Sequence, residues 1–400
     1  MSGILSWHDL NNLVGRVSTD FENGPTTSQA LLRLFGHEES EVRVTLYRDN
    51  HSWCPSCHKV WLWLEERRVP YRVKKVTMGC YGEKDVWYKK ICPAGMLPAL
   101  ELDERLFTES DVIIKNLEKA FGSVGAKMDD PQIKLLLKLE RQIYYTWCGW
   151  LCHPFRNLTE ENERQKNFIN TVRIVDKALG STPGPYFLDE FSTADIVFIP
   201  HLERMSATLF YYKGFNLRNV DNFPRLSKWF DALETRETYI GTQSDFHTHC
   251  HDLPPQMGGC YESGNKFQQK CKERVDSCND FNLVESNIKE PGDSKHIALE
   301  NVLRHREALM RVNPVRDMDE PLRVALAYMM TGQLEVIPDG TEIGLRYMRD
   351  RVCVPRDMPI WSARRFRQAL EVVASTLSSA QGPPLFLIHR RDQDPKPFRN

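Results

Sequence analysis

Glu41-Val-Arg-Val-Thr-Leu-Tyr-Arg48, then Asn50-His-Ser-Trp-Cys54-Pro-Ser-Cys57, then His58-Lys-Val-Trp-Leu-Trp-Leu-Glu-Glu-Arg-Arg68 is the stretch that decides the fold. The first segment alternates apolar and polar side chains and is rich in β-branched residues, which is the pattern of a strand. The second is a loop that opens a helix. The third carries Val60, Leu64 and neighbouring tryptophans on one apolar face. Pro70 stops that helix, and Tyr71-Arg-Val-Lys-Lys-Val-Thr77 reads as a second strand.

Working downstream, Glu83 to Ile91 reads as helical, and Met96-Leu-Pro-Ala-Leu-Glu-Leu102 with Arg105-Leu-Phe-Thr108 forms a hairpin across Asp103-Glu104. Asp111 to Phe121 closes the unit as a helix. A strand, a crossover helix and a parallel strand, followed by a helix, a hairpin and a last helix, is the order of a thioredoxin-like α/β domain over residues 41–123. Residues 130–257 have a helical period throughout, starting with Ile133-Lys-Leu-Leu-Leu-Lys-Leu-Glu-Arg-Gln-Ile143. Ser192-Thr-Ala-Asp195 ahead of an apolar run is a capping box, which starts a helix and does no chemistry. Residues 258–293, rich in Gly, Asn, Ser, Asp and Lys, read as a linker or an extended wrap over the surface. Ile297–Val312, Leu322–Met330, Ile343–Arg351 and Ser362–Thr376 make residues 294–400 a mostly helical extension. Residues 1–40 read as an irregular leader with short amphipathic stretches.

Four hundred residues exceed one ordinary domain, and 41% hydrophobic with 27% charged residues is the composition of a chain with ample core. Fifty-three Lys and Arg against 54 Asp and Glu leave a net charge of −1, which does not advertise nucleic-acid binding. No run approaches the ~18 consecutive apolar residues of a membrane span, so no membrane role is expected. The amino terminus carries neither the basic and apolar regions of a secretion signal nor an Arg- and Ser-rich transit peptide. Eleven scattered cysteines suit a reducing intracellular compartment, where a close pair is catalytic or metal-binding rather than structural.

Cys54-Pro-Ser-Cys57 is the strongest chemical signal. The thiolate is the reactive form of cysteine, and a helix N-terminus, with its unsatisfied N–H groups and positive dipole end, favours it. Cys57, one turn deeper on the same face, is placed to resolve a mixed disulfide by exchange. Zinc is the competing reading, but the nearest second ligand pair is poorly spaced. Leu97-Pro98, a proline opening a strand, suits a cis bond with backbone free to pair with a peptide-like ligand. Glu109 and Ser110, between a strand and a helix, offer a carboxylate, a hydroxyl and helix N–H groups to a small zwitterion; alone, they are a helix cap.

Together these three sites make residues Glu41 to Phe121 resemble the glutathione-binding domain of a cysteine-type glutathione transferase, of the omega and glutaredoxin-like group. Trp53-Cys-Pro-Ser-Cys, Lys74-Lys-Val-Thr-Met-Gly-Cys-Tyr-Gly82, Asp252-Leu-Pro-Pro-Gln256 and the long carboxyl extension are most similar to the iota class of photosynthetic organisms. The resemblance implies an all-helical transferase domain after the thioredoxin-like one. It also implies that Cys54 forms a mixed disulfide with glutathione, that Leu97 pairs its backbone with the glutathione cysteinyl unit beside Pro98, and that Glu109 and Ser110 hold the γ-glutamyl end. Lys84, within Lys84-Asp-Val-Trp-Tyr-Lys-Lys-Ile-Cys-Pro93, matches the lysine that reaches the glycyl carboxylate. The implied activity is thiol transfer: deglutathionylation, or disulfide or dehydroascorbate-type reduction, with glutathione and a small or protein disulfide as partners, in cytoplasm or chloroplast stroma. Ser56 departs from the aromatic residue usual between the proline and second cysteine, a change that bears on thiol acidity and product release. A homodimer through the family's usual surface is the assembly that the resemblance implies.

Weaker signals remain. Tyr144, Tyr145 and Trp147, beside Cys148 and Cys152, suit an acceptor pocket, although core packing is the plainer reading. Arg346, Arg349 and Arg351, with Tyr347 and Trp361 nearby, suit a phosphate-bearing aromatic ligand such as a flavin nucleotide, which would make the protein a binding sensor; interdomain ion pairs are the plainer reading. His247, His249 and His251 alternate, and in an extended segment they would share one face that can bind zinc or nickel; a solvated loop is the plainer reading, and no metal is assigned.

Overall fold

The computed structural model describes residues 4–14, 19–277 and 286–377. The chain opens with α1 (Trp7–Val14), and a five-stranded sheet follows. Its strands are β1 (Leu32–Arg33), β2 (Val44–Asp49), β3 (Tyr71–Val76), β4 (Ala99–Leu102) and β5 (Arg105–Thr108), in the order β1-β3-β2-β4-β5. β2 and β3 are parallel and joined across α2 (Pro55–Arg67); β4 runs antiparallel to β2, and β5 antiparallel to β4. Asp103 and Glu104 both have positive φ, 49° and 65°, so a two-residue turn with the twist of the strands closes the hairpin. α3 (Val86–Ile91) and α4 (Ser110–Phe121) complete the thioredoxin-like domain. α3 is shorter than the helix expected from Glu83, because the Asp85 carboxylate accepts from Thr77 N (2.9 Å) and holds the entry segment extended.

The leader is not irregular throughout. Leu32 and Arg33 pair antiparallel with Arg72 and Tyr71 as an edge strand. Two residues are too few to show alternation; buried ionic chemistry holds them instead. Arg33 Nε lies 3.0 Å from Glu65 Oε1, and the same carboxylate accepts from Tyr71 Oη (2.6 Å) and Thr26 Oγ1 (2.7 Å).

A second, all-helical domain contains α5 (Pro131–Leu151), α6 (Leu158–Leu179), α7 (Thr193–Lys213), α8 (Pro224–Leu233), α9 (Glu237–Thr242) and α10 (Phe246–Met257). α7 is its axis. The Ser192/Asp195 capping box forms: Ser192 Oγ accepts from Ala194 N and Asp195 Oδ2 from Ser192 N (2.9 Å). One continuous apolar core runs from the sheet and α2 through α5, α6, α7 and α8.

The segment expected as a linker contains α11 (Lys266–Asp276), which corrects that reading. Its sequence is mostly polar, so little apolar periodicity marks it. It is fixed by its Asn265 cap and by a buried Gln268, whose Nε2 donates to Tyr211 O (2.8 Å). α12 (Ser294–Arg311), α13 (Asp319–Thr331), α14 (Glu342–Arg351) and α15 (Ile360–Ala374) build the extension around a second core. Leu10 of α1 is fully buried in that core, and Trp7 Nε1 donates to Asp319 Oδ1 (2.7 Å). The extension meets the helical domain through the Arg367–Asp245 ion pair and through Val354 N donating to Thr248 Oγ1 (3.0 Å). Among the described residues, no helix is long and apolar enough to cross a membrane.

Candidate active site

β2 ends at Asp49, and that carboxylate organises the loop that follows. Its Oδ2 accepts from Trp53 N (2.7 Å) and Cys54 N (3.2 Å). Arg48 braces the other side, donating to Ser52 Oγ (2.6 Å) and Ser28 O (2.7 Å), with its guanidinium 4.7 Å from the Trp61 ring centroid. Cys54 therefore arrives as the residue capping α2, with Pro55 in the first helical turn, where its fixed φ fits and its missing N–H is not needed.

Cys54 is 9% exposed and Cys57 1%, and their sulfurs and an Asp49 oxygen lie within 4.8 Å of one another. A hydrogen bond from the Cys57 thiol is the main influence on Cys54, holding it below the usual thiol range. Burial and the Asp49 charge oppose this, and the Arg204 charge supports it. Burial pushes Cys57 well above the usual range. The pair is thus divided into one ionisable sulfur and one proton donor. The expected helix-terminus effect is present in position, but the neighbouring thiol is the larger cause.

Arg204 went unnoticed in the sequence. It comes from the middle of α7, is 2% exposed, and donates through Nη2 to Trp53 O and through Nη1 to Pro200 O. Beside it Glu203 lies 2.7 Å from His249 Nε2, and His58 Nε2 lies 3.0 Å from Thr242 Oγ1. The available signal was an adjacent acid and base inside an otherwise apolar helix, since buried charges are retained only where they have partners.

The register brings the other expected glutathione residues to the same end of the sheet. Tyr47 of β2 pairs with Ala99, and Ala99 with Thr108. The Cys54 loop after β2, Leu97-Pro98 before β4 and Glu109-Ser110 after β5 therefore emerge side by side. The Leu97-Pro98 peptide is cis. Glu109 caps α4 at φ 63° with its carboxylate making no capping hydrogen bond, and Ser110 is buried at the first helical position. Lys84 lies against Gly95, whose φ of +65° suits glycine.

The other expected sites stand on helices of the later domains. Trp147 is buried, donating to Thr208 Oγ1 (3.3 Å), while Tyr145 is 68% exposed and Tyr144 packs on His201 and Arg141. Tyr144 stands between the other two, its ring edge-on to Tyr145 (5.8 Å between centroids) and to Trp147 (5.9 Å). Arg346 and Arg349 converge on Glu371, Arg349 also meets Asp350 (2.7 Å), and Arg351 lies 3.5 Å over the Tyr347 ring. Arg346 and Arg349, of the arginines expected at a phosphate site, are thus paired with carboxylates inside the extension. The histidines stand on α10, not in an extended segment or loop: His249 faces the core, whereas His247 and His251 share the opposite side.

Residues 53–120 match the family model of the glutathione S-transferase N-terminal domain, and residues 159–232 that of the glutathione S-transferase C-terminal domain. The chain is 26% identical over 193 residues to the chloroplastic glutathione S-transferase DHAR3 of Arabidopsis thaliana, covering 48% of this chain and 69% of that protein. It is 25% identical to the probable chloroplastic glutathione S-transferase DHAR2 of Oryza sativa, over 47% of this chain and 65% of the relative. Among solved structures, Leishmania TDR1, a trimeric glutathione transferase, aligns at 26% identity and a TM-score of 0.46, over 57% of this chain and 51% of that one. The chain thus spans about two thirds of these plant relatives and about half of that solved chain. Its middle is similar to the N- and C-terminal domains of glutathione S-transferases, with further helices outside both matched stretches.

Proposed function

We propose that this protein is a glutathione-dependent thiol transferase working through a mixed disulfide on Cys54. The observation that carries the proposal is the divided cysteine pair: Cys54 held toward the thiolate, Cys57 held protonated beside it. The Cys54 thiolate attacks the glutathionyl sulfur of a substrate disulfide, so that a Cys54–glutathione disulfide forms and the substrate leaves as its thiolate. Glutathione thiolate then attacks that disulfide, releasing oxidised glutathione and regenerating the Cys54 thiolate. Alternatively, Cys57 loses its proton and displaces glutathione, leaving a Cys54–Cys57 disulfide that two glutathiones reduce.

In this reading glutathione lies along the sheet end where the three loops emerge. Leu97 supplies backbone pairing beside Pro98, Glu109 and Ser110 hold the γ-glutamyl end, and Lys84 reaches the glycyl carboxylate. The free Glu109 carboxylate at an unusual backbone conformation supports the placement. The relatives' names support glutathione as the thiol partner and a plant-type setting that includes the chloroplast. The engaged arginines of α14 lend no support to a flavin.

The test is reduction of hydroxyethyl disulfide by glutathione. Wild-type turnover and its loss in Cys54→Ser are expected. Undiminished turnover in Cys54→Ser would refute the proposal, as would brisk conjugation of chlorodinitrobenzene that survives the substitution.

A further inference from the structure

We propose that His247, His251 and Asp276 form a binding site for a divalent transition-metal ion that clips α11 to α10. His247 and His251 stand four residues apart on α10, so one turn of helix puts both imidazoles on the same side. Their ring centroids are 4.6 Å apart. Asp276, the last residue of α11, brings its carboxylate to them: Oδ1 lies 2.9 Å from His251 Nε2. A donor atom from each of the three lies within 4.8 Å of the others. Ligands bound at about 2.0–2.2 Å from one ion stand roughly 3 Å apart, so side-chain adjustment of about an ångström gathers the set.

Two imidazoles and a carboxylate suit zinc, cobalt or ferrous iron, and leave an outward coordination position for water. His251 and Asp276 are 13% and 11% exposed, so an ion can enter, yet the site is formed before it arrives. Tyr211 Oη donates to the second Asp276 oxygen (2.9 Å), which is the outer support that fixes a ligating carboxylate. On binding, the ion replaces the proton between His251 Nε2 and Asp276 Oδ1, and that proton passes to solvent or to the other ring nitrogen. The alternate spacing visible in the sequence pointed to three histidines; the helix removes His249 and supplies an aspartate twenty-five residues on.

The test is Co²⁺ titration of the full chain in a Cys54→Ser/Cys57→Ser background, followed by visible absorption. One equivalent should produce d–d bands without the intense thiolate charge transfer that binding at cysteine gives. His247→Gln and Asp276→Asn should each weaken the affinity by about 100-fold or more, and Tyr211→Phe by roughly 10-fold. Absence of uptake, a thiolate spectrum, or an affinity unchanged in His247→Gln would overturn the proposal. Should Asp276→Asn fail to fold, His247→Gln alone decides.

Discussion

Arg204, in the middle of the helical domain's central helix, hydrogen-bonds the carbonyl oxygen of Trp53, the residue immediately before Cys54, and lies 4.5 Å over the Trp53 ring. The first domain's cysteine loop is thereby held from the second domain. Arg204→Met removes both the brace and a positive charge near the sulfur. Alkylation of Cys54 by iodoacetamide, followed against pH, should shift to higher pH and slow at neutrality on the order of tenfold. Arg204→Lys retains the charge without the planar fork and should fall between the two. An unshifted profile in Arg204→Met would show that the contact is packing alone.

Cys57 is expected to act first as a hydrogen-bond donor. Cys57→Ala deletes the donor and should raise the Cys54 pKa, whereas Cys57→Ser keeps a hydroxyl and should raise it less. Ultraviolet thiolate absorbance reads this directly. Equal curves for both variants would contradict the order.

Glu65 holds Arg33, Tyr71 and Thr26 inside the fold. Glu65→Leu leaves the buried guanidinium of Arg33 without its counter-ion, and should cost about 3–5 kcal/mol in denaturant unfolding. Amide exchange at Leu32 and Arg33 should rise with it, because β1 is only two residues long and loses its buried ion pair. A loss below about 1 kcal/mol would mean that water takes over the role.

Burial holds the His58 imidazole at a pKa of about 3, against 6.5 for the ordinary group. Below about 6.5 the unfolded chain binds a proton there that the folded chain does not. Stability therefore falls as pH drops from 6.5 toward 3, by an amount on the order of a few kcal/mol from this group. His58→Gln removes that titration, so its denaturation midpoint should fall less than wild type between pH 7 and 4. Parallel falls would assign the acid sensitivity elsewhere.

Much of the first domain was legible because its signals are local. Alternation marked β2 and β3, Asp103-Glu104 marked the hairpin, and Cys54 followed by proline marked the start of α2. What escaped notice depends on partners distant in sequence. β1 exists through Arg33 reaching Glu65, α11 through Gln268 reaching α7, and Arg204 acquires a role only when α7 is laid against the Cys54 loop. The histidine run was misread for a related reason. With Pro254 and Pro255 close behind, Phe246–Met257 carries weak helical signals, and its period is set by burying His249 against Glu203.

The two ends of the described chain meet in one core, with Leu10 enclosed by residues some three hundred positions later. A ribosome makes α1 long before α12 to α15 exist, so that helix waits through the synthesis of some three hundred residues with its apolar side uncovered. The sheet domain and the helical domain behind it can settle in the meantime, and sealing of the second core becomes a late event that waits for α15.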